Sequence, residues 1–113
     1  MKIVNPTRKT NLSEKAEMAN TPLARMKGLL GRAALLENEA LIIKPCNSVH
    51  TFFMRFAIDV VFLSKDNVVV GILQNLKPYR LSPIYFNSYL AIELPPGVIK
   101  ASSTQINDKI VFV

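Results

Sequence analysis

Two apolar runs, Asp59 to Ser64 and Val68 to Leu73, stand either side of the polar triplet Lys65-Asp66-Asn67. β-Branched residues on both flanks of so short a turn predict an antiparallel hairpin, with strands at 60–64 and 68–73. Both runs are apolar on successive rather than alternate residues, so both faces of these strands need covering by protein. A sheet built on this hairpin must therefore be packed on each side.

Other elements fall around it. Residues 2–5 and 14–19 read as short strands, the second alternating acids with small or apolar side chains. Thr21-Pro22 is a helix start, threonine capping the first free N–H groups and proline fixing φ at the first helical position. Leu23, Met26 and Leu30 then form one apolar stripe, with Gly31 as the C-terminal cap. Ala40 to Lys44 reads as a strand stopped by Pro45, and Leu76 to Asn87 as an ordered loop. Ser88 to Leu94 resumes strand character, Val98 to Ser102 forms a helical turn, and Lys109 to Val113 is a last strand. The class is α+β and predominantly β. It predicts a curled, mostly antiparallel sheet or small open barrel with one or two short helices.

A chain of 113 residues makes a single domain, 1–113, and buries about two-thirds of its unfolded surface. Half the residues are apolar, which excludes disorder, yet no run approaches the roughly 18 residues of a membrane span. The opening MKIVNPTRK has charge but no apolar stretch after it, unlike a signal peptide, so the expectation is a cytoplasmic protein. One cysteine, Cys46, and one histidine, His50, fall short of a closed zinc site, and the eight acids are scattered; no metal and no cofactor are expected. The net charge of +6 favours anionic partners. The basic residues form no run, however, and nucleic acid is the less favoured partner.

Three polar residues interrupt apolar sequence. Asp59 lies between Ile58 and Val60 at the core boundary. It is either a general base or ligand anchor, or a structural acid accepting backbone N–H groups or Arg32. In Tyr89 to Leu94, period two puts Leu90, Ile92 and Leu94 on one face and Glu93 on the other, where it pairs with a basic group or lines a cavity. His50, with Thr51, precedes an aromatic belt of Phe52, Phe53, Phe56 and Phe62 that includes Met54 and encloses Arg55. Such a belt can stack nucleic-acid bases, but the continuous apolar run favours core. Cys46 and His50 could pair as nucleophile and base, but nothing else in the sequence supports a cysteine enzyme, and the thiol reads as a small hydrophobe.

Three stretches, ARMKGLLGR at 24–32, HTFFMRFAIDVVFLSKDNVVV at 50–70 and AIELPPGVI at 91–99, together resemble the domain-of-unknown-function family 192. The family's Gly-Leu-(Met or Leu)-Gly-Arg segment falls on Gly28 to Arg32. Its methionine followed five residues later by aspartate falls on Met54 and Asp59, and its Glu-Leu-Pro-(Ala or Pro)-Gly segment on Glu93 to Gly97. Many relatives carry a Lys-Asn near the methionine where this chain has Arg55-Phe56. The resemblance implies a compact, mostly β domain and brings no activity with it.

These residues fit a small binding or accessory module with a shallow pocket near His50, Thr51, Met54, Asp59, Glu93 and Arg32. Its partner would be a small anionic or polar ligand, or another protein. The alternatives are an acid/base enzyme using Asp59 or Glu93 on a small substrate, and a weak nucleic-acid binder using the basic surface and the 76–87 loop. Arg32 is expected to meet Asp59, because a guanidinium offers the bidentate geometry that a carboxylate prefers.

Overall fold

The computed structural model describes residues 1–113, apart from the side chain of Met26. In chain order the elements are β1 (Ile3–Asn5), β2 (Thr10–Ser13), β3 (Lys15–Ala19), α1 (Pro22–Lys27), β4 (Glu39–Ile43), β5 (Ile58–Leu63), β6 (Val69–Leu76), β7 (Leu90–Leu94), α2 (Val98–Ala101) and β8 (Val111–Phe112). They form two sheets, a three-stranded one ordered β2-β1-β8 and a five-stranded one ordered β3-β4-β7-β5-β6. The protein is mostly β, as expected, but the single curled sheet is two sheets, and neither closes into a barrel. The strand at 10–13 escapes a sequence reading because TNLS carries almost no apolar signal; it is formed by pairing with β1.

The hairpin is β5 and β6, paired antiparallel with Val61 opposite Ile72. Asn67, at φ 61°, closes the turn in the left-handed region that asparagine tolerates. All of β5 is buried, and two separate cores explain why. Val61, Leu63, Ile92 and Leu94 face the three-stranded sheet together with Ile3 and Leu12. Ile58, Val60 and Phe62 point the other way, into a core completed by Leu29, Val49 and Met54. Every other strand pair is antiparallel except β3 with β4, which runs parallel from Lys15 opposite Glu39 to Ala19 opposite Ile43. The connection between those two carries α1.

Thr21 caps α1 by accepting the Ala24 N–H at 3.1 Å, and Pro22 opens the helix. The helix is shorter than the spacing implied. Gly28 rather than Gly31 ends it, its N–H returning to the Ala24 carbonyl at φ 47°. Leu30 therefore lies outside the helix, and Leu23 is 77% exposed, so the expected stripe is not the packing face. The Met26 part of that stripe lies outside the described side chains. Contact with the sheet is made by Ala24 and by Leu29 just past the helix end.

Two irregular segments cover the outer face of the five-stranded sheet. Residues 46–54 and 77–89 run side by side, with Ser82 N–H donating to Val49 O and Tyr85 N–H to Asn47 O. The Tyr85 ring stacks on Phe62 with centroids 4.4 Å apart. It lies across Gly71, the cross-strand partner of Phe62, where a Cβ would come within 2.5 Å of the ring. Of the aromatic belt, Phe62 and Met54 are buried, but Phe52 and Phe53 are exposed. That part of the core expectation is corrected, because the chain turns away from the sheet after Thr51.

Candidate functional site

The five-stranded sheet leaves a cleft on its outer face. Its floor is Ile43 of β4 and Glu93 of β7, and its walls are the end of α1 and the segment after β4. The cleft encloses about 290 Å³ and is lined by Arg25, Gly28, Leu29, Cys46, His50 and Met54, among others. That volume lies at the lower end of small-molecule sites, which run from about 300 to 1,000 Å³. Apolar walls with a few converging polar groups are the usual composition of such a site.

Glu93 reaches the cleft through strict alternation along β7. Leu90, Ile92 and Leu94 go to the inter-sheet core and Ala91 to the outer one, which leaves the Glu93 side chain on the outer face. It is 3% exposed, and no hydrogen bond or ion pair within the chain meets its carboxyl group among the described residues. Burial pushes that carboxyl from 4.5 up to about 7, since a charge is costly in apolar surroundings unless it is paired. Arg25 stands on the wall formed by α1. Its Nη1 donates to the Pro45 carbonyl at 3.4 Å, while its Nε is buried with no acceptor.

Cys46 is half-buried, and its thiol donates to the Ser48 carbonyl at 3.1 Å. Burial pushes the thiol up; the Ser48 contact opposes this and the Glu93 charge adds to it. At neutral pH it stays a thiol, the poor form for a nucleophile. His50 lies at the rim. Its Nδ1 accepts the Phe52 N–H at 3.3 Å, and its ring stacks on Phe52.

Of the residues singled out from sequence, His50, Met54 and Glu93 line the cleft; Thr51, Asp59 and Arg32 do not. Thr51 is fully buried as a clasp: its Oγ1 donates to Lys77 O at 2.6 Å and accepts the Arg80 N–H at 2.9 Å. Asp59 lies on the other face of the sheet, at a bulge between β5 and β6. One oxygen accepts the Asn75 N–H at 2.9 Å, and the other accepts those of Gly97 and Ile99 at 3.0 Å each. Asp59 therefore ties the bulge to α2 through backbone N–H groups, as one of its two readings required, and Arg32 takes no part. The expected Arg32–Asp59 pair is absent. Arg32 bonds Glu39 at 2.8 Å instead, because Gly28 ends the helix one turn early and the reversal leads away from β5. Arg25 is the cleft residue that a sequence reading misses; in sequence it is only one of the basic residues of a short helix.

The three motif segments converge at two places. Gly28 and Leu29 meet Met54 and Glu93 in the cleft, while Asp59 meets Gly97 on the opposite face. A small, mostly β domain of two packed sheets, with one polar cleft on the outer face of the larger sheet, is the class that this arrangement defines. The chain belongs to the family described as "Uncharacterized ACR", domain of unknown function 192, whose model matches residues 3–112. A UPF0127 protein of Thermococcus sibiricus is 32% identical over 114 residues, covering 96% of this chain and 72% of that one. A UPF0127 protein of Pyrococcus furiosus is 41% identical over 63 residues, 56% of this chain, and the match spans 53% of that relative's length. Among solved structures, a protein of unknown function from Novosphingobium aromaticivorans superposes with a TM-score of 0.85 at 22% identity, covering 99% of this chain and 84% of that one. A structure described as a putative transcription regulator from Sinorhizobium meliloti gives 0.80 at 16% identity, covering 97% and 89%. These two likenesses establish the fold. No helix among the described residues is long and apolar enough to cross a membrane.

Proposed function

We propose that the protein is a small-molecule binding module whose cleft holds a polar ligand between Arg25 and Glu93. The observation that carries this reading is the Glu93 carboxyl, buried at the floor of the cleft without an internal partner. A group in that state is stabilised by a ligand that supplies a hydrogen-bond donor, and an anionic or carbonyl group on the same ligand would meet Arg25 or Lys27 on the wall. Asp59 has no place in this reading, since its oxygens are already occupied.

The test is ligand-observed NMR with a panel of small hydroxy acids, amino acids and organic phosphates, run on the native chain, Glu93→Gln and Arg25→Met. Binding by a member of the panel that falls about tenfold in each variant supports the module. A panel that does not bind, or binding that survives both substitutions, refutes it. A second reading rests on the same group: a carboxyl with its pKa at about 7 is poised for proton transfer near neutral pH. Turnover of a bound panel member, with a pH profile that breaks near that value and is lost in Glu93→Gln, would make the module an enzyme.

A further inference from the structure

The segments at 48–54 and 77–86 place an unusual set of side chains in solvent. Thr51 N–H donates to Arg80 O, Tyr79 N–H donates to Thr51 O, and His50 bridges to Leu81, so the two segments form one surface. Phe53, Leu81 and Phe86 on that surface are 73%, 68% and 87% exposed, and Phe52, Tyr79 and Ile84 are exposed beside them. Phe53 and Tyr79 sit at φ 63° and 62°, a left-handed conformation that bulky side chains rarely adopt. Their rings meet edge to face at 5.7 Å. The buried Thr51 clasp holds both in that conformation. Charge on the surface has one sign: Arg55, Lys77 and Arg80 are exposed, and neither 48–56 nor 76–88 contains an acid.

We propose that this surface docks on an anionic lipid bilayer, with the apolar tips entering the interface and the three cations at headgroup level. Exposed apolar side chains in contiguous groups mark interaction sites rather than ordinary surface. Three features choose lipid over other partners. The cations match anionic headgroups, and neither segment holds an acid that would repel those headgroups. Leu81 and Ile84 have no flat ring on which a nucleic-acid base could stack. Phe53, Leu81 and Phe86 project largely free of the protein, whereas anchors for a partner chain usually sit in well-packed pockets. An acyl boundary accepts projecting side chains without a matching shape.

Vesicle flotation of the full chain tests this, with phosphatidylcholine alone and with roughly a third phosphatidylglycerol. The chain should float with the anionic vesicles and only weakly with the neutral ones, and added salt should reduce the difference. Phe53→Asn combined with Phe86→Ser should lower partitioning at least about tenfold. The melting temperature should hold, because both side chains are exposed and asparagine suits the left-handed backbone. Should that variant melt early, Leu81→Ser carries the same test. Lys77→Glu with Arg80→Glu should remove the preference for anionic lipid. Absence of flotation, or flotation undiminished by the phenylalanine substitutions, overturns the proposal. So does retention on oligothymidine without flotation, or a dimer in sedimentation that those substitutions dissociate.

Discussion

Replacing Glu93 by glutamine should make the protein more stable at alkaline pH and leave it nearly unchanged in acid. The folded protein holds the Glu93 proton more tightly than the unfolded chain does, since burial raises the carboxyl from 4.5 to about 7. Its contribution is therefore fully present below about pH 4.5 and is lost as pH rises to about 7. Above that the folded state carries a buried, unpaired carboxylate, and the rise corresponds to about 3 kcal/mol. Glutamine resembles the protonated acid in shape and is never charged. The variant should therefore exceed the native chain by up to about 3 kcal/mol at about pH 8, or on the order of 10 °C in melting temperature for a domain of this size. Urea unfolding of both proteins from about pH 4.5 to about pH 8 measures the difference, and other titrating groups cancel in the comparison. A difference that does not vary with pH, or a glutamine variant that is less stable at alkaline pH, would refute the reasoning. Carbon-detected NMR titration of the Glu93 carboxyl gives an independent reading of its midpoint.

Three further outcomes follow from the packing. Asp59→Asn should cost about 3 kcal/mol by turning a donor toward backbone N–H groups; Arg32→Met should cost under about 1 kcal/mol, and the two should add in urea unfolding, since Arg32 pairs with the partly exposed Glu39 instead. Gly71→Ala should destabilise by about 1–3 kcal/mol by pushing the Tyr85 ring off Phe62, and near-ultraviolet dichroism should lose tyrosine signal. Asp108 is buried, which opposes its ionisation, yet hydrogen bonds from Arg8, Asn5 and the Gln105 N–H hold it below the usual carboxylate range. Its stabilisation is present above about pH 4 and is lost in acid as the folded group protonates, so Asp108→Asn should cost about 2 kcal/mol near neutral pH and progressively less below that range.

Local signals in the sequence located most elements, because each rests on neighbours in the chain. The β5–β6 hairpin needs only its turn and its β-branched flanks, and the start of α1 needs only Thr21-Pro22. The alternation that sends Glu93 to the face opposite Ile92 is likewise local. What failed depended on pairings rather than on a segment's own pattern. β2 has almost no apolar signal of its own and exists because β1 lies beside it. Arg32 could meet either Asp59 or Glu39 as far as the sequence goes, and with the helix ending at Gly28 it pairs with Glu39. The exposure of Phe52 and Phe53 is set by Thr51, whose partners Lys77 and Arg80 are more than twenty residues away. Period and propensity carry no information about such pairings.

The strand order of the larger sheet has a consequence for a chain emerging from the ribosome. β7 lies between β4 and β5, so neither of those strands can meet its central neighbour until residue 94 has been made. At about 5–20 residues per second, β5 waits roughly 2–6 s, and β4 longer, with apolar edges unpaired. The β5–β6 hairpin can form in that interval, but the sheet cannot. The strand that closes the gap also carries Glu93. A nascent chain therefore lacks the Glu93 part of the cleft floor until β7 is in place, and occupancy of the cleft would select for chains whose larger sheet holds all five strands.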